Sequence, residues 1–301
     1  MTASIAEVVG RGRGGREVAD RARSRDVDRP RIEASLWYLG TAPGKPVSDV
    51  FRPPGGAVPD TAADDRRTVS IRDARLMASS LSVDAQGFEL WDAPSAVEDF
   101  LDEHQLSRLY DMETADLALL ATGGRRAVVF DRLVRRREPG RALSSLGARR
   151  GGGLAGPAGR VHVDYSEASG ARRHGLVLPG RDPAGRFCIV NVWRSIGPAP
   201  VLDTPLAVCD ARTVEPVDLV ARELRYPDRT GEIYLVRHAS RHAWCYFSEM
   251  RRHEALVFKQ YDSERSGVAR FVAHAAFDLP GAPVDAPPRQ SIEARVLVTF
   301  E

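Results

Sequence analysis

Short runs of β-branched and aromatic residues recur along the carboxyl-terminal half of the chain, and clusters of Pro, Gly and Asp separate them. Such runs between turn-forming residues predict strands, and their spacing is typical of an antiparallel sandwich or barrel. Among them, only residues 216–225 suggest a helix. The predicted strands are 187–193, 206–209, 232–237, 244–247, 255–261, 268–275 and 292–300.

The amino-terminal third mixes strand and helix patterns. Residues 32–39, 69–74 and 127–130 predict strands. Apolar residues at helical spacing predict a helix that begins at Ser95 and stops at Gly123. The patterns together predict a mainly β protein with α, in which a helical N-terminal part precedes the strand-rich part.

Composition suggests where the folded part begins. Residues 1–31 hold eight arginines and five acidic residues with little apolar periodicity, which predicts a disordered tail. We expect residues 32–301 to form a single domain, and the glycine-rich segment 147–159 to be a mobile lid. The parts predicted within this domain are strands and helices at 32–135, a flexible loop at 136–159 and a β core at 160–301.

Net charge and the distribution of apolar residues indicate which partners and cellular locations to expect. The net charge of +2 selects no partner, and no apolar run is long enough to span a membrane. The amino terminus lacks the apolar block of a signal peptide, so we expect a cytoplasmic protein. The three cysteines lie in apolar runs and are expected to be buried, without a disulfide or zinc site.

An arginine-rich segment at 125–150 has nine arginines against two acidic residues. The simpler interpretation is a solvated edge strand and loop. The alternative is a docking surface for an anionic substrate or a carrier protein. Because Phe130 is the single aromatic residue in the segment, we do not expect nucleic-acid binding.

The chemistry is expected to start from His162 and Asp164. Val161 and Val163 alternate with them, so both polar side chains should point to the same face of a strand. One imidazole and one carboxylate on one strand face can bind a divalent metal from one side. A second histidine would complete the two-histidine, one-carboxylate set of non-heme Fe(II) oxygenases.

Several histidines could supply the third ligand. His238 and His242 flank a turn between predicted strands, and His274 lies on another predicted strand. The others are expected at the surface: His104, His174 and His253.

The segment after His274 resembles the end of double-stranded β-helix oxygenases that use 2-oxoglutarate. In that class the distal metal histidine is followed by an Arg-x-Ser pair, which matches Arg289 and Ser291 here. A guanidinium group can bind the far carboxylate of 2-oxoglutarate with two hydrogen bonds, and a hydroxyl two residues later adds a third. Arg295 is the alternative residue for this role.

Six motifs extend the resemblance over residues 32–300. Together they resemble the bacterial and fungal family that contains the hydroxylase component of cephamycin methoxylation, the fungal gibberellin desaturase and the meroterpenoid endoperoxide-forming oxygenase. The motifs are Asn191–Arg194, Asp203–Arg212, Gly231–Tyr234, Phe258–Ser263, His274–Phe277 and Pro288–Arg295.

The resemblance implies a double-stranded β-helix (jelly-roll) core with helical N-terminal additions. It also implies that His162, Asp164 and His274 bind Fe(II), with 2-oxoglutarate as cosubstrate and O2 as oxidant. The expected reaction is hydroxylation, desaturation or oxidative cyclisation at an unactivated C–H bond of a secondary metabolite or its biosynthetic intermediate. Candidate pocket residues are Tyr165, Trp193, Arg194, Lys259 and Tyr261.

Some alternatives stay open at this point. The chain could instead be a non-catalytic or non-redox β-helix subunit of a heterodimeric biosynthetic enzyme. The patterns do not decide whether the natural-product substrate is anionic or carrier-bound, or whether the protein forms a homo- or heterodimer. We expect neither nucleic acid nor membrane as a partner.

Overall fold

The structure is a computed structural model that describes residues 30–41, 44–49, 63–140, 143, 146, 154–180 and 185–301. Residues 1–29 of the predicted tail and 147–153 of the predicted lid lie outside these residues, whereas Arg31 of the predicted tail begins β1. The strands are β1 (Arg31–Leu39), β2 (Val47–Asp49), β3 (Asp64–Asp73), β4 (Phe88–Asp92), β5 (Arg126–Arg136), β6 (His162–Val163), β7 (Phe187–Ser195), β8 (Leu206–Cys209), β9 (Leu219–Arg225), β10 (Thr230–Val236), β11 (Trp244–Tyr246), β12 (Glu254–Asp262), β13 (His274–Ala276) and β14 (Gln290–Thr299).

Helical segments are few in the described part of the chain. The α-helices are α1 (Glu103–Gln105), α2 (Asp111–Thr122) and α3 (Glu167–Val177), and a π-helical turn at Leu106–Tyr110 joins the first two. Short 3-10 helices lie at Arg75–Ser80, Ala211–Thr213 and Pro216–Asp218. None of the helices in the described residues is long and apolar enough to cross a membrane.

Two sheets of mainly antiparallel strands form the molecule. The larger sheet has the order β1-β3-β11-β8-β13-β6-β10-β9-β2, and the smaller has the order β4-β12-β7-β14-β5. Single parallel bridges from Trp37 to Arg160 and from Leu39 to Arg237 bring β1 beside the chain next to β6 and β10. The larger sheet therefore curls back on itself around Tyr38, which is fully buried.

The smaller sheet is covered on both faces. Its strands β7 and β12 are buried at every residue, as expected for a strand between two layers. Val190 and Val192 pack with Leu117 of α2 on the outer face. Trp193 lies in a cluster with Val208 of the larger sheet, so this side chain faces the space between the sheets.

The sequence prediction and the structure differ at several elements. The helical run begins at Glu103 and not at Ser95, so the residues before β5 are mostly strands and irregular chain. The predicted helix at 216–225 is wrong, because only one 3-10 turn precedes strand β9. Strand β13 is much shorter than the predicted 268–275, and α3, β2, β4 and β9 were not predicted as such.

The glycine-rich segment also differs from the prediction where it is described. Ala155 pairs with Arg135 of β5, and residues 155–159 are buried. Gly159 lies so close to Leu143 that a Cβ atom would be 1.8 Å from the Leu143 carbonyl oxygen. This end of the segment is therefore packed structure rather than flexible loop.

Residues 126–136 of the arginine-rich segment form β5, which is an edge strand as the simpler interpretation predicted. Several of its guanidinium groups are paired within the chain: Arg132 with Glu103 and Asp111, and Arg137 with Asp278. A docking role for the segment stays a prediction.

Candidate metal centre and cosubstrate site

Two histidines and one carboxylate meet between the two sheets. His162 lies on β6, His274 lies opposite it on the neighbouring strand β13, and Asp164 follows β6 directly. One ligand atom from each residue lies within 4.8 Å of the others. The Asp164 Oδ1 atom is 3.5 Å from Nε2 of His162 and 4.0 Å from Nε2 of His274. These three residues are the only such cluster of His, Cys, Asp or Glu in the described chain.

Backbone carbonyl groups hold both imidazole rings in the same orientation. The Nδ1 atom of His162 lies 2.7 Å from the Arg160 carbonyl oxygen, and Nδ1 of His274 lies 3.2 Å from that of Val272. A carbonyl oxygen can only accept, so both Nδ1 atoms must donate. This tautomer leaves each Nε2 lone pair directed at the cluster, as metal-binding histidines require. Burial and the nearby His162 lower the pKa of His274 to about 3, so its ring is neutral near pH 7.

The second oxygen of Asp164 is already occupied. Its Oδ2 atom accepts from Asn191 Nδ2 and from Arg295 Nε, each at 2.8 Å. Burial alone would raise the Asp164 pKa, but the charge of Arg295 lowers it well below the usual range. Asp164 is therefore ionised, with Oδ1 facing the two imidazoles.

Strand register explains how these partners meet. Asn191 of β7 lies opposite Arg295 of β14, so both side chains emerge on the same face of the smaller sheet. The Gln260 side chain of β12 accepts the Asp164 backbone N–H at 2.7 Å and thereby joins Asp164 to the smaller sheet. The sequence prediction did not identify Asn191 or Gln260, because neither pairing can be seen without the register.

Arg289 and Ser291 lie nearby with unused donors. Arg289 is 4% exposed and Ser291 is 1% exposed. One guanidinium nitrogen of Arg289 donates to the Thr204 carbonyl at 2.8 Å, whereas its Nε and the Ser291 Oγ have no partner. Burial and the charge of Arg135 lower the pKa of Arg289 to about 9. An acceptor with negative charge would satisfy both orphaned donors.

Glu293 belongs to a row of polar residues along β14. The other three members of this row were identified from the sequence, but Glu293 was not. Arg289, Ser291, Glu293 and Arg295 follow at every second position, so they share the inner face of the strand. Glu293 accepts from Arg295 at 3.2 Å, and burial together with the Asp164 charge raises its pKa. Polar residues at every second position of a strand were the sequence signal from which Glu293 could have been identified.

The candidate pocket residues fall into two groups. Trp193 faces the inner space, with the Arg289 guanidinium 5.5 Å from its ring centroid, and Tyr165 follows Asp164 directly. Arg194 points to the outer face, where it donates to the Ala93 carbonyl and lies 5.5 Å from the Tyr110 ring.

The other two candidates have packing roles in the structure. Lys259 is fully buried and pairs with Asp84 at 2.5 Å and with Asp262 at 2.8 Å, so its charge is already compensated. Tyr261 packs against Gly170 of α3. Alternation along β7 directs Arg194 to the outer face. In β12 a bulge between Lys259 and Tyr261 breaks the alternation, and Tyr261 packs in one cluster with Tyr165.

The remaining histidines do not join the cluster. His242 lies 3.1 Å from Asp218 and 3.3 Å from the Tyr38 hydroxyl, and His238 packs edge-on against the Tyr38 ring. His174 was expected at the surface but is 4% exposed, because it lies on α3 against Phe187.

The donor set fits Fe(II) and a dicarboxylate. Two imidazoles and one carboxylate form the facial set of non-heme Fe(II) oxygenases. The orphaned donors of Arg289 and Ser291 suit a carboxylate. A two-sheet β fold with such a cluster between its sheets is the arrangement of double-stranded β-helix oxygenases.

Comparisons with known proteins agree with that class. Residues 36–299 match the family described as "Oxidoreductase/YMDC permease-like domain". The alpha-ketoglutarate-dependent dioxygenase phiK, from a fungal species, is 33% identical over 78% of this chain and 85% of its own length. The Fe(II)/2-oxoglutarate-dependent dioxygenase nvfI of Aspergillus novofumigatus is 32% identical over 76% of this chain and 82% of its own length.

Solved structures are similar over most of the chain. The iron and alpha-ketoglutarate-dependent endoperoxidase NvfI superposes with a TM-score of 0.76 at 28% identity, over 89% of this chain and 98% of that one. The chain belongs to this family of Fe(II)- and 2-oxoglutarate-dependent dioxygenases. The predicted jelly-roll core and oxidoreductase class are confirmed.

Proposed function

We propose that the protein oxidises an unactivated C–H bond of a small-molecule natural product, with Fe(II) bound by His162, Asp164 and His274. The reaction would be a hydroxylation, a desaturation or an oxidative cyclisation. The relative efuI of Hormonema carpetanum is described as a hydroxylase/desaturase, and NvfI as an endoperoxidase. We further propose that residues 32–301 act as one catalytic domain.

The main support for this metal-ligand assignment is the shared orientation of the His162 and His274 imidazoles. Both Nε2 atoms face Oδ1 of Asp164, while both Nδ1 atoms are held by backbone carbonyls. A structural histidine pair has no need for two identically fixed tautomers aimed at one carboxylate oxygen.

Each residue has a distinct task in this proposal. Arg289 and Ser291 bind the far carboxylate of 2-oxoglutarate through their unused donors. Asn191 and Arg295 hold Asp164 so that one oxygen remains for the metal. When bound, Fe(II) and 2-oxoglutarate supply the oxidising power for O2 to attack a C–H bond.

The structure favours Arg289 over Arg295 as the cosubstrate clamp. Arg295 contacts Asp164, Asp131 at 2.5 Å and Glu293 at 3.2 Å. These carboxylates compensate its charge, whereas Arg289 has a buried nitrogen without a partner.

The test is anaerobic titration of the protein with Fe(II) and 2-oxoglutarate, monitored by the visible charge-transfer band of the chelate. We expect the band in the native protein and in His238→Ala, and its loss in His162→Ala and His274→Ala. Arg289→Met should require much more 2-oxoglutarate to reach the same band. A band that survives in His274→Ala would contradict the ligand assignment.

Turnover provides the second readout. The proposal predicts that the aerobic protein converts 2-oxoglutarate to succinate, and that Asp164→Asn does not. A non-catalytic subunit would form no succinate under any of these conditions.

A further inference from the structure

The guanidinium group of Arg173 lies between two aromatic rings and has no acidic partner among the described residues. Its central carbon is 5.3 Å from the Phe130 ring centroid and 5.5 Å from that of Tyr165. Its Nε is buried and has no hydrogen-bond partner. No hydrogen bond or ion pair joins Arg173 to any other residue in the described ranges. Two ring faces stabilise a cation but do not neutralise its charge.

This cation is linked to the candidate metal cluster through Tyr165. Tyr165 directly follows Asp164, and α3, which carries Arg173, begins two residues later. The Arg173 guanidinium lies 5.5 Å from the centroid of the Tyr165 ring, so Tyr165 separates it from the candidate ligand Asp164 by a single residue along the chain.

A β-bulge in the pairing of β5 with β14 determines where the Phe130 ring lies. Arg295 of β14 pairs with Asp131 of β5, but the next residue, Val296, pairs with Val129, so Phe130 is the extra residue. A bulge re-aims side chains that would otherwise alternate between faces. Asp131 reaches Arg295 on the inner side, while the Phe130 ring packs with Tyr165.

The surroundings of Arg173 supply hydrogen-bond donors. The nearby carboxylates of Asp131 and Asp164 form their ion pairs with Arg295. The Tyr165 hydroxyl has no hydrogen-bond partner within the described chain. One positive charge and several unused N–H and O–H donors therefore lie together beside the cluster. A group with one negative charge and two acceptor oxygens would neutralise this charge and accept hydrogen bonds from these donors.

We propose that Arg173, together with the Tyr165 hydroxyl, binds a carboxylate of the substrate, so that the substrate is a carboxylic acid. This inference rests on the proposed function, because it assumes that a small molecule is oxidised at the neighbouring cluster. The single charge of Arg173 matches a carboxylate, whereas a phosphate monoester would keep an uncompensated charge. Phe130 and Tyr165 hold the guanidinium in place.

The test compares acids with their neutral amides. Protein loaded with Zn(II), as a redox-inert substitute, and a fixed concentration of 2-oxoglutarate is titrated with a panel of aryl and alkyl carboxylic acids. Each acid is paired with its primary amide and, where available, the matching phosphate ester, and ligand-observed NMR gives the affinities. The proteins are wild type, Arg173→Gln, Arg173→Lys and the control Arg172→Gln. Arg172 is an exposed neighbour on the same helix.

We expect wild type and Arg172→Gln to bind acids about tenfold or more tightly than amides, the equivalent of one hydrogen bond to a charged group. Arg173→Gln should lose this preference without a change in amide binding, and Arg173→Lys should keep part of it. Equal binding of acids and amides by wild type, including no binding of either, would contradict the inference. An unchanged preference in Arg173→Gln, or a preference for phosphates, would also contradict it.

The Fe(II)–2-oxoglutarate band separates this inference from the proposed function. A missing band in wild type would contradict the proposed function itself. A normal band without acid preference would contradict only the role of Arg173. Loss of the band in Arg173→Gln would instead assign this residue to the cosubstrate and overturn the substrate role.

Discussion

Asp164 divides its two carboxylate oxygens between different partners. Oδ2 is held by Asn191 and Arg295, and Oδ1 faces the two imidazoles. Since the contacts on Oδ2 fix the rotation of the carboxylate, they favour coordination through a single oxygen. Residues that orient a metal ligand in this way tune the affinity of the site.

We therefore expect Arg295→Met to weaken metal binding by about 10- to 100-fold, the usual cost of losing a partner of a metal ligand. Arg295→Lys should lose less, because it keeps the charge but not the fixed geometry. Metal affinity can be measured by competition with a chromophoric chelator in the absence of 2-oxoglutarate.

The alternative role of Arg295 predicts the opposite result. A cosubstrate clamp would leave metal affinity unchanged and weaken only 2-oxoglutarate binding. Asn191→Ala serves as the matched control, because it removes the other Oδ2 contact without removing a charge.

The ion pair between Arg75 and Glu254 should make the stability of the fold depend on pH. Burial alone would raise the Glu254 pKa, but hydrogen bonds from Arg75 and from the Arg251 backbone lower it. The pair therefore stabilises the fold above the ordinary glutamate pKa and loses this contribution as the pH falls through the lowered folded-state pKa.

Arg75→Gln should lower the free energy of unfolding at pH 7 by roughly 1–2 kcal/mol, a range set by the partial exposure of Arg75. In urea denaturation, the difference from wild type should keep its pH 7 value down to the ordinary glutamate pKa of 4.5 and shrink as the pH falls further. Arg67→Gln, which removes an exposed ion pair with Asp65, is the control and should change stability little at any pH. A difference that grows on acidification would contradict the assigned sign.

The sequence was informative about individual ligands and less so about their supports. His162 and Asp164 could be predicted because two residues of one strand with period-two spacing must share a face. His274 and Arg289 could be predicted only through the family resemblance. Lys259 was misleading, because the ion pairs that bury it join residues distant in sequence.

At the scale of elements, α3 fixes the geometry around the cluster. Ser166 caps it with a capping box, and Gly170 lets it approach the Tyr261 ring on β12. A Cβ atom on Gly170 would lie 2.3 Å from Tyr261 Cδ2, far inside contact distance. The helix can thus pack here only with glycine at this position.

Gly170→Ala should therefore destabilise the protein by about 1–3 kcal/mol through overpacking, despite the better helix propensity of alanine. Gly175→Ala on the same helix is the matched control, because nothing lies within 4 Å of its added Cβ. That control should be neutral or stabilising by up to about 1 kcal/mol. Equal effects of the two changes in thermal unfolding would contradict this packing account.

Element prediction failed where tertiary packing overrides the local pattern. Residues 167–177 contain two glycines and a run of Arg-Arg-His, so they suggest a polar turn although they form α3. Residues 219–225 carry charged residues at three of their seven positions but pair with β10 as β9. The buried strands β7, β12 and β14 were predictable because their composition alone requires a covered sheet.

At the scale of the whole molecule, the candidate metal site joins the two sheets. Its candidate ligands come from the larger sheet, and their supports Asn191, Gln260 and Arg295 come from the smaller one. Ligand binding should therefore stabilise the global fold and not only the local site.

We expect Zn(II) with 2-oxoglutarate to raise the unfolding temperature by several degrees. At ligand concentrations of about 100 times Kd, the gain in stability is about 2.7 kcal/mol. EDTA should reverse the shift, and Asp164→Asn should abolish it, as measured by differential scanning fluorimetry. His238→Ala should retain the shift, and its loss there would argue that the protein binds the metal elsewhere.

The return of β1 to the chain beside β6 and β10 has a consequence for how the molecule assembles. The first strand pairs with β3 and then lies against residues about 120 and 200 positions later. Closing such long loops is entropically costly, so we expect slow, millisecond-to-second folding. Iron would then load only near the end of that process, and truncated chains lacking the last strand would not acquire it.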